Sequence, residues 1–395
     1  MGWQFSIARL PRIEFGAGIL RRLPDIAAVY GRRLVIVTGA RSFPLSPHRQ
    51  PLYAALKAKG LLWSTVEVAG EPSPELIDDA VRRLRGAHPD VVIGIGGGSV
   101  LDAAKAIAGL LKPGNSVLDH LEGVGPEKPY EGPATPFIAV PTTAGTGSEA
   151  TKNAVLSVQG EQGYKKSFRD EKLVAEYALV DPDLLASCPP ALIAANGMDA
   201  LTQLLESYVS LRANALTNAL VLSGLAAARF GLPAWYEGGE RAARGREKMA
   251  YAALISGIAL AQTGLGSVHG LAAPLGAFFP IAHGVACGTL LAAATRVNIE
   301  TMQVREPENP ALVRYAQAGR LLGNDTTLDD AGAHALLVAT LERWTELMSL
   351  PRLSDLRVTA ADLPRIVANS RGSSMKTNPI VLTDEEVTRV LEMRL

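Results

Sequence analysis

The run Asp90-Val91-Val92-Ile93-Gly94-Ile95, followed at once by Gly96-Gly97-Gly98-Ser99 and then by Val100-Leu101-Asp102-Ala103-Ala104-Lys105, constrains the fold more than any other stretch. The apolar segment reads as a strand and the alanine-rich segment behind it as a helix. Three glycines between them let the backbone turn tightly and let a ligand come close to the main chain. A helix that begins there offers unpaired N–H groups and the positive end of its dipole, which favours an anion. The spacing is not G-x-G-x-x-G, and read alone the segment is open to being a tight turn.

A second loop of the same character follows the apolar run Pro136–Val140. It is Pro141-Thr142-Thr143-Ala144-Gly145-Thr146-Gly147-Ser148-Glu149-Ala150-Thr151, whose hydroxyls and amides suit the phosphates, sugar and carboxamide of a dinucleotide. Two such loops at the carboxyl ends of strands in one sheet are where a ligand crevice is expected. From about Arg33 to Val180, β-rich runs at Leu34–Thr38, Thr65–Val68, Val91–Ile95, Pro136–Val140 and Ala178–Val180 alternate with helical stretches such as Glu75–Arg85 and Leu101–Leu111. That alternation predicts a mostly parallel sheet covered by helices.

After Asp181-Pro182 the pattern changes to alanine- and leucine-rich segments. Helices are expected at Ala191–Ser210, Ala215–Phe230, Arg246–Gln262, Leu265–Phe278, Val285–Asn298, Leu312–Leu322, Asp329–Leu347, Ala361–Ala368 and Asp384–Leu395. The expected organisation is an α/β nucleotide-binding domain over 1–185 and an all-α domain over 186–395, with the break near Asp181–Pro190, where Asp181-Pro182 and Pro189-Pro190 interrupt the chain.

Composition narrows the function. Lys plus Arg equals Asp plus Glu at 39 each, so no basic excess attracts nucleic acid or an anionic membrane. The longest apolar runs, such as Leu216–Phe230, are interrupted and fall short of the roughly 20 residues that span a bilayer. Met1-Gly2-Trp3-Gln4-Phe5 has no basic stretch leading into an apolar core, so no signal peptide is expected. Cys188 and Cys287 lack C-x-x-C spacing and form no disulfide framework, which fits a reducing cytoplasm.

Two of the six histidines, His269 and His283, fall in one apolar segment, and about 70 residues earlier Asp199 and Gln203 stand at i and i+4 on one helix face. Imidazoles with a carboxylate suit zinc or ferrous iron if a position stays open for substrate. Each histidine taken singly is also compatible with a hydrogen-bonded place in a helical core.

The ordered motifs Gly96-Gly97-Gly98-Ser99-x-x-Asp102, Pro141-Thr142-Thr143-x-Gly145-Thr146-Gly147-Ser148-Glu149, Gly197-Met198-Asp199-Ala200 and His269-Gly270-x-x-x-Pro274-Leu275-Gly276 through His283-Gly284 closely resemble the iron-containing (group III) alcohol dehydrogenases. Phe15-Gly16-Ala17-Gly18 and Lys376-Thr377-Asn378-Pro379 extend the resemblance over essentially the whole chain. It implies a Rossmann-like amino-terminal domain, a helical carboxyl-terminal domain of the dehydroquinate synthase-like type, and a metal-dependent NAD(P)-linked oxidoreductase acting on a small alcohol or aldehyde. By the same resemblance Asp199, His269 and His283 become catalytic metal ligands, and Gly96, Gly97, Gly98, Ser99, Asp102, Thr142, Thr143, Thr146 and Ser148 line the cofactor site. Lys165 matches a lysine placed near the nicotinamide ribose, and a homodimer or higher homo-oligomer is implied.

Two positions depart from the pattern. Relatives carry a histidine ligand where Gln203 stands, and a substrate-pocket histidine where Ala273 stands. The metal set is therefore Asp199, His269 and His283 with solvent, or the same three with Gln203 as a weak neutral fourth, and the cation is Fe2+ or Zn2+. The strand Leu34–Thr38 ends in Gly39-Ala40-Arg41-Ser42, where NAD-preferring relatives tend to have aspartate at Gly39. With no carboxylate there, and with Arg41 and Ser42 available to a 2′-phosphate, NADP is the expected cofactor. Maleylacetate reductase-like or glycerol dehydrogenase-like activity, and a degenerate nucleotide-binding protein without catalysis, are the competing readings.

Overall fold

The computed structural model describes residues 4–395; Met1, Gly2 and Trp3 of the amino-terminal stretch lie outside it. The chain divides into two compact units. One comprises Ala8–Val158 with Lys165–Cys188, and the other Pro189–Leu395 with Gln159–Tyr164 and residues 4–7.

The first unit is a six-stranded sheet of β1 (Arg12–Phe15), β2 (Arg33–Gly39), β3 (Leu62–Val68), β4 (Val91–Gly96), β5 (Phe137–Pro141) and β8 (Tyr177–Val180). Its order is β1-β8-β5-β4-β2-β3, with every pairing parallel. Leu34, Val35, Ile36 and Val37 are all buried, as are all six residues of β4. Unbroken apolar strands of this kind belong inside a parallel sheet with both faces covered. Helices α1 (Leu23–Ala28), α2 (Arg49–Ala58), α3 (Pro74–Leu84) and α4 (Gly98–Leu110) follow in the same unit.

Three strands were not expected. β1 is only four residues, Arg-Ile-Glu-Phe, at the sheet edge, too short and too charged to stand out. β6 (Asn153–Val158) and β7 (Tyr164–Arg169) pair in a separate two-stranded sheet. The turn after β1 is held from across the unit by Asp181, whose carboxylate accepts from the Gly18 and Leu20 N–H groups at 3.0 Å each.

Chain order reverses between β2 and β4: after β2 the chain runs out to the β3 edge, and after β4 it runs to β5 on the other side. The loops leaving β2 and β4 thus flank the topological switch point, where ligands enter open α/β sheets. The hydroxyl-rich loop after β5 is pinned to α4. Ser148 Oγ donates to Asp102 at 2.6 Å, and the buried Lys105 ammonium reaches Ser148 O at 2.9 Å, Thr151 Oγ1 at 3.0 Å and Asn153 O at 2.8 Å. A Cβ on Gly98 would lie 2.7 Å from Thr146 Oγ1, so only glycine lets this loop settle on the start of α4.

The second unit is helical: α5 (Pro190–Val209), α6 (Ala215–Glu237), α7 (Ala242–Thr263), α8 (Ser267–Phe278), α9 (His283–Arg305), α10 (Pro310–Gly323), α11 (Asp330–Leu347), α12 (Leu363–Ala368) and α13 (Asp384–Glu392). α6 runs seven residues past the expected end, through Pro233, because the apolar face continues to Leu232 and Trp235. At 23 residues it is long and apolar enough to cross a membrane, contrary to the expectation from the shorter run. Its inward face, Val221, Leu225, Ala228 and Leu232, is nonetheless buried in the bundle against α5 and α7.

Burial has a measurable consequence at Glu149, in the pinned loop. Loss of hydration pushes its carboxyl from an ordinary 4.5 up to about 7, with its own backbone N–H and Lys105 opposing. Between those values the unfolded chain is ionised while the folded chain keeps its proton. Stability is therefore undiminished at low pH and falls as pH rises through the folded value. Glu149→Gln removes this dependence. Urea unfolding is expected to show the variant gaining on the wild type between about pH 4.5 and pH 7, by on the order of 3 kcal/mol, and the gain levelling off above that. A difference independent of pH would show that Glu149 is not desolvated.

Candidate active site

Three helices of the second unit converge on Asp199. It lies in mid-α5, His269 is the third residue of α8, and His283 is the first residue of α9 with Cys287 one turn further on. Asp199 Oδ1 stands 3.4 Å from His269 Nε2 and 3.8 Å from His283 Nε2. Cys287 Sγ stands 3.7 Å from each of the same two nitrogens. One donor atom from each of the four residues falls within 4.8 Å of the others.

The helices are set by specific contacts. A Cβ on Gly284 would lie 2.5 Å from Ala195 O, so glycine lets the start of α9 press against α5 and brings His283 and Cys287 to Asp199. The start of α8 is fixed by side chains from elsewhere: Asn378 Oδ1 accepts from Ser267 N at 3.0 Å, and Glu206 Oε1 from Val268 N at 2.7 Å. Glu206 Oε2 also bonds His269 Nδ1 at 2.6 Å. A carboxylate behind an imidazole fixes its tautomer and aims the other nitrogen into the site.

Neither Asp199 oxygen has a hydrogen-bond partner, although the residue is fully buried. An ionised carboxylate without donors is costly in a protein interior unless a cation meets it. Burial would raise its pKa, yet the His283 and His269 imidazoles hold it below the usual value. For His269 burial opposes the charged form, but Cys287, Glu206 and Asp199 together raise it well above an ordinary imidazole. Burial pushes the Cys287 thiol up to about 12. A buried carboxylate facing two imidazoles and a thiol is the donor chemistry of a divalent-cation site.

Gln203 lies one turn after Asp199, and its amide oxygen accepts from Ser256 Oγ at 2.7 Å. Cys287 and Glu206 were not foreseen. The signals were present: Cys287 is four residues after His283, and Glu206 is seven after Asp199, both on the face of their helix that carries the named ligand. A lone cysteine without a C-x-x-C partner gave no metal spacing to read.

In the first unit, Gly97 precedes α4 and no side chain caps that helix, so its first N–H groups remain open to a ligand. Gly97, Gly98 and Ser99 are partly exposed there. Thr142 Oγ1 is buried without a partner, whereas Ser148 and Asp102 are bonded to each other. Gly39 ends β2, with Arg41 and Ser42 exposed just beyond it, on the other flank of the switch point. Lys165 is on β7, ion-paired to Glu71, which also accepts from Ser157.

Residues 11–182 match the model of the iron-containing alcohol dehydrogenases, and residues 193–395 match that of the carboxyl-terminal domain of the Fe-containing alcohol dehydrogenase family. Alcohol dehydrogenase 4 of Saccharomyces cerevisiae is 31% identical over 391 residues, 97% of each chain. The solved structure of a 1,3-propanediol oxidoreductase superposes with a TM-score of 0.87 at 27% identity, covering 99% of this chain and 100% of that one. A sulfoacetaldehyde reductase from Bifidobacterium kashiwanohense, solved with NAD+, does so with a TM-score of 0.84 at 26% identity, covering 100% and 99%. A parallel α/β unit followed by a helical unit, matched over nearly its full length, makes this chain a member of the iron-containing alcohol dehydrogenase family.

Proposed function

We propose that the protein is a metal-dependent, nicotinamide-linked alcohol dehydrogenase that interconverts a small alcohol and its aldehyde. The observation that carries this reading is the buried Asp199 carboxylate, without hydrogen-bond donors, facing the His269 and His283 nitrogens in a chain of this family. Asp199, His269 and His283 hold the cation, with Gln203 at most a weak neutral donor beside them. Ferrous iron or zinc suits this set. When bound, the cation would supply Lewis acidity to the substrate oxygen and the nicotinamide would supply the hydride chemistry.

The chain's own residues do the positioning. Glu206 keeps His269 Nδ1 occupied, so that Nε2 is the nitrogen offered to the site. Ala273, one turn after His269 on the same helix, has no proton to give, so the alcohol proton would leave through water or the ribose hydroxyl of a bound cofactor. Gly96, Gly97, Gly98 and Ser99 receive the pyrophosphate on the open N–H groups of α4. Thr142, Thr143 and Thr146 line the cofactor cradle, and Asp102 with Ser148 braces it. Lys165 stands by the nicotinamide ribose.

Arg41 and Ser42, with no carboxylate at Gly39, favour NADP over NAD. We place the enzyme in the cytoplasm as a homodimer or higher homo-oligomer, acting on a small molecule rather than on nucleic acid or membrane; light scattering measures the assembly.

Two measurements test the reading. Elemental analysis of the purified protein is expected to find one divalent cation per chain, and Asp199→Ala to lose it, with metal affinity down at least about 100-fold and turnover lost with it. A well-folded Asp199→Ala retaining metal and turnover refutes the assignment. For cofactor choice, a Cβ on Gly39 meets nothing closer than Val100 Cγ2 at 3.6 Å and Ser42 Oγ at 3.7 Å, so aspartate is accommodated. Gly39→Asp is expected to lower kcat/KM for NADPH about tenfold or more while sparing or improving NADH. Equal effects on both would remove Gly39 from the 2′-recognition.

A further inference from the structure

We propose that Cys287 is the fourth protein ligand of the cation, bound as a thiolate in the place that Gln203 leaves unfilled. The inference rests on the metal-dependent reading and deepens it. Four of the six separations among the donors of Asp199, His269, His283 and Cys287 are fixed: 3.4, 3.8, 3.7 and 3.7 Å. A tetrahedral ion with bonds of about 2.0–2.3 Å spaces its ligand atoms about 3.3–3.8 Å apart. The sulfur is therefore an equal corner of the figure that the carboxylate and imidazoles already outline.

A second feature points to a ligand independently of the cysteine. Both oxygens of the wholly buried Asp199 lack a hydrogen-bond donor. A single S–H serves one acceptor, yet Cys287 Sγ is equidistant from two imidazole nitrogens and beside that carboxylate. A cation at their centre satisfies all four at once. Gln203, by contrast, has its oxygen engaged by Ser256 and carries no charge.

On uptake the Cys287 S–H bond breaks, the sulfur pair goes to the cation and the proton leaves to the buffer. One carboxylate and one thiolate then balance a divalent charge. Thiolate is soft, so this set shifts selection from iron toward zinc or cobalt.

Cobalt(II) tests the proposal directly. Metal-free whole protein titrated with Co2+ is expected to develop an intense near-ultraviolet sulfur-to-cobalt band, saturating at one ion per chain. Cys287→Ser is expected to abolish the band and to weaken zinc at least about tenfold in chelator competition, a difference of about 1.4 kcal/mol. Cys188→Ala and Gln203→Ala are both expected to keep the band. Cobalt bound at one per chain without it overturns the Cys287 assignment and leaves the metal-dependent reading standing. No cobalt or zinc uptake by the wild type overturns both. If Cys287→Ser does not fold, X-ray absorption of the zinc-loaded wild type decides, since a sulfur scatterer at about 2.3 Å is either present or absent.

Discussion

A carboxylate enclosed by helices, without a hydrogen-bond partner and faced by two imidazoles, governs the second half of this molecule. Asp199 is fully buried and both its oxygens are without donors. Desolvating an ionised group at that cost is tolerable only where opposite charge is delivered. The packing around it serves that delivery. α9 reaches α5 through Gly284, while Glu206 and Asn378 hold the amino end of α8 so that His269 enters from a third direction. Asn378 is itself bonded to Asn298 Oδ1 at 2.9 Å, and Thr377 Oγ1 to Leu265 O at 2.6 Å. The Lys376-Thr377-Asn378-Pro379 motif is thus a clamp on the start of α8, two residues before His269.

The first unit follows a different logic, in which the backbone supplies the recognition and side chains brace it. The open N–H groups of α4 face a turn that tolerates no larger residue at Gly98. The neighbouring loop is fastened by an ammonium and a carboxylate from the same helix, Lys105 and Asp102. Burial draws the Lys105 pKa down to about 8, with Asp102 and Glu149 opposing, so charge in this brace is held against the cost of desolvation. On the proposed cofactor reading, a cradle preorganised in this way would lose little ordering entropy when a dinucleotide binds.

Patterns that depend on neighbours in sequence were legible, and those that depend on neighbours in space were not. β2, β4 and β5 stand out because their apolar runs are buried on both sides, from Leu34 to Thr38 in β2 and throughout in β4 and β5, and the long bundle helices because their apolar periodicity runs for three turns or more. β1, whose Arg12 and Glu14 alternate with Ile13 and Phe15, becomes a strand only through its pairing with β8. In the site, histidine is rare enough in this chain for two in one apolar segment to be conspicuous. Cys287 and Glu206 carry no such signal, because their meaning comes from what α8 and α5 place opposite them. Asp102 and Ser148 were assigned to the cofactor; their mutual hydrogen bond gives them a structural task that spacing alone does not reveal.

The neutral amide on α5 and the thiol on α9 are connected by helix geometry. Residues four apart share a face, so α5 presents positions 199 and 203 to the same side, and α9 presents 283 and 287. A four-cornered site at the junction of α5, α8 and α9 therefore has five places from which to draw its donors. Relatives are expected to fill position 203 with histidine. Here its substitute is a neutral amide already bonded to Ser256, while the facing helix offers sulfur at an equivalent reach. Gly284 sets the close approach of α9 to α5, whichever of the two helices supplies the donor. What changes is the character of the donor, from a borderline nitrogen to a soft anion. That alters the preferred ion and its Lewis acidity without touching the fold.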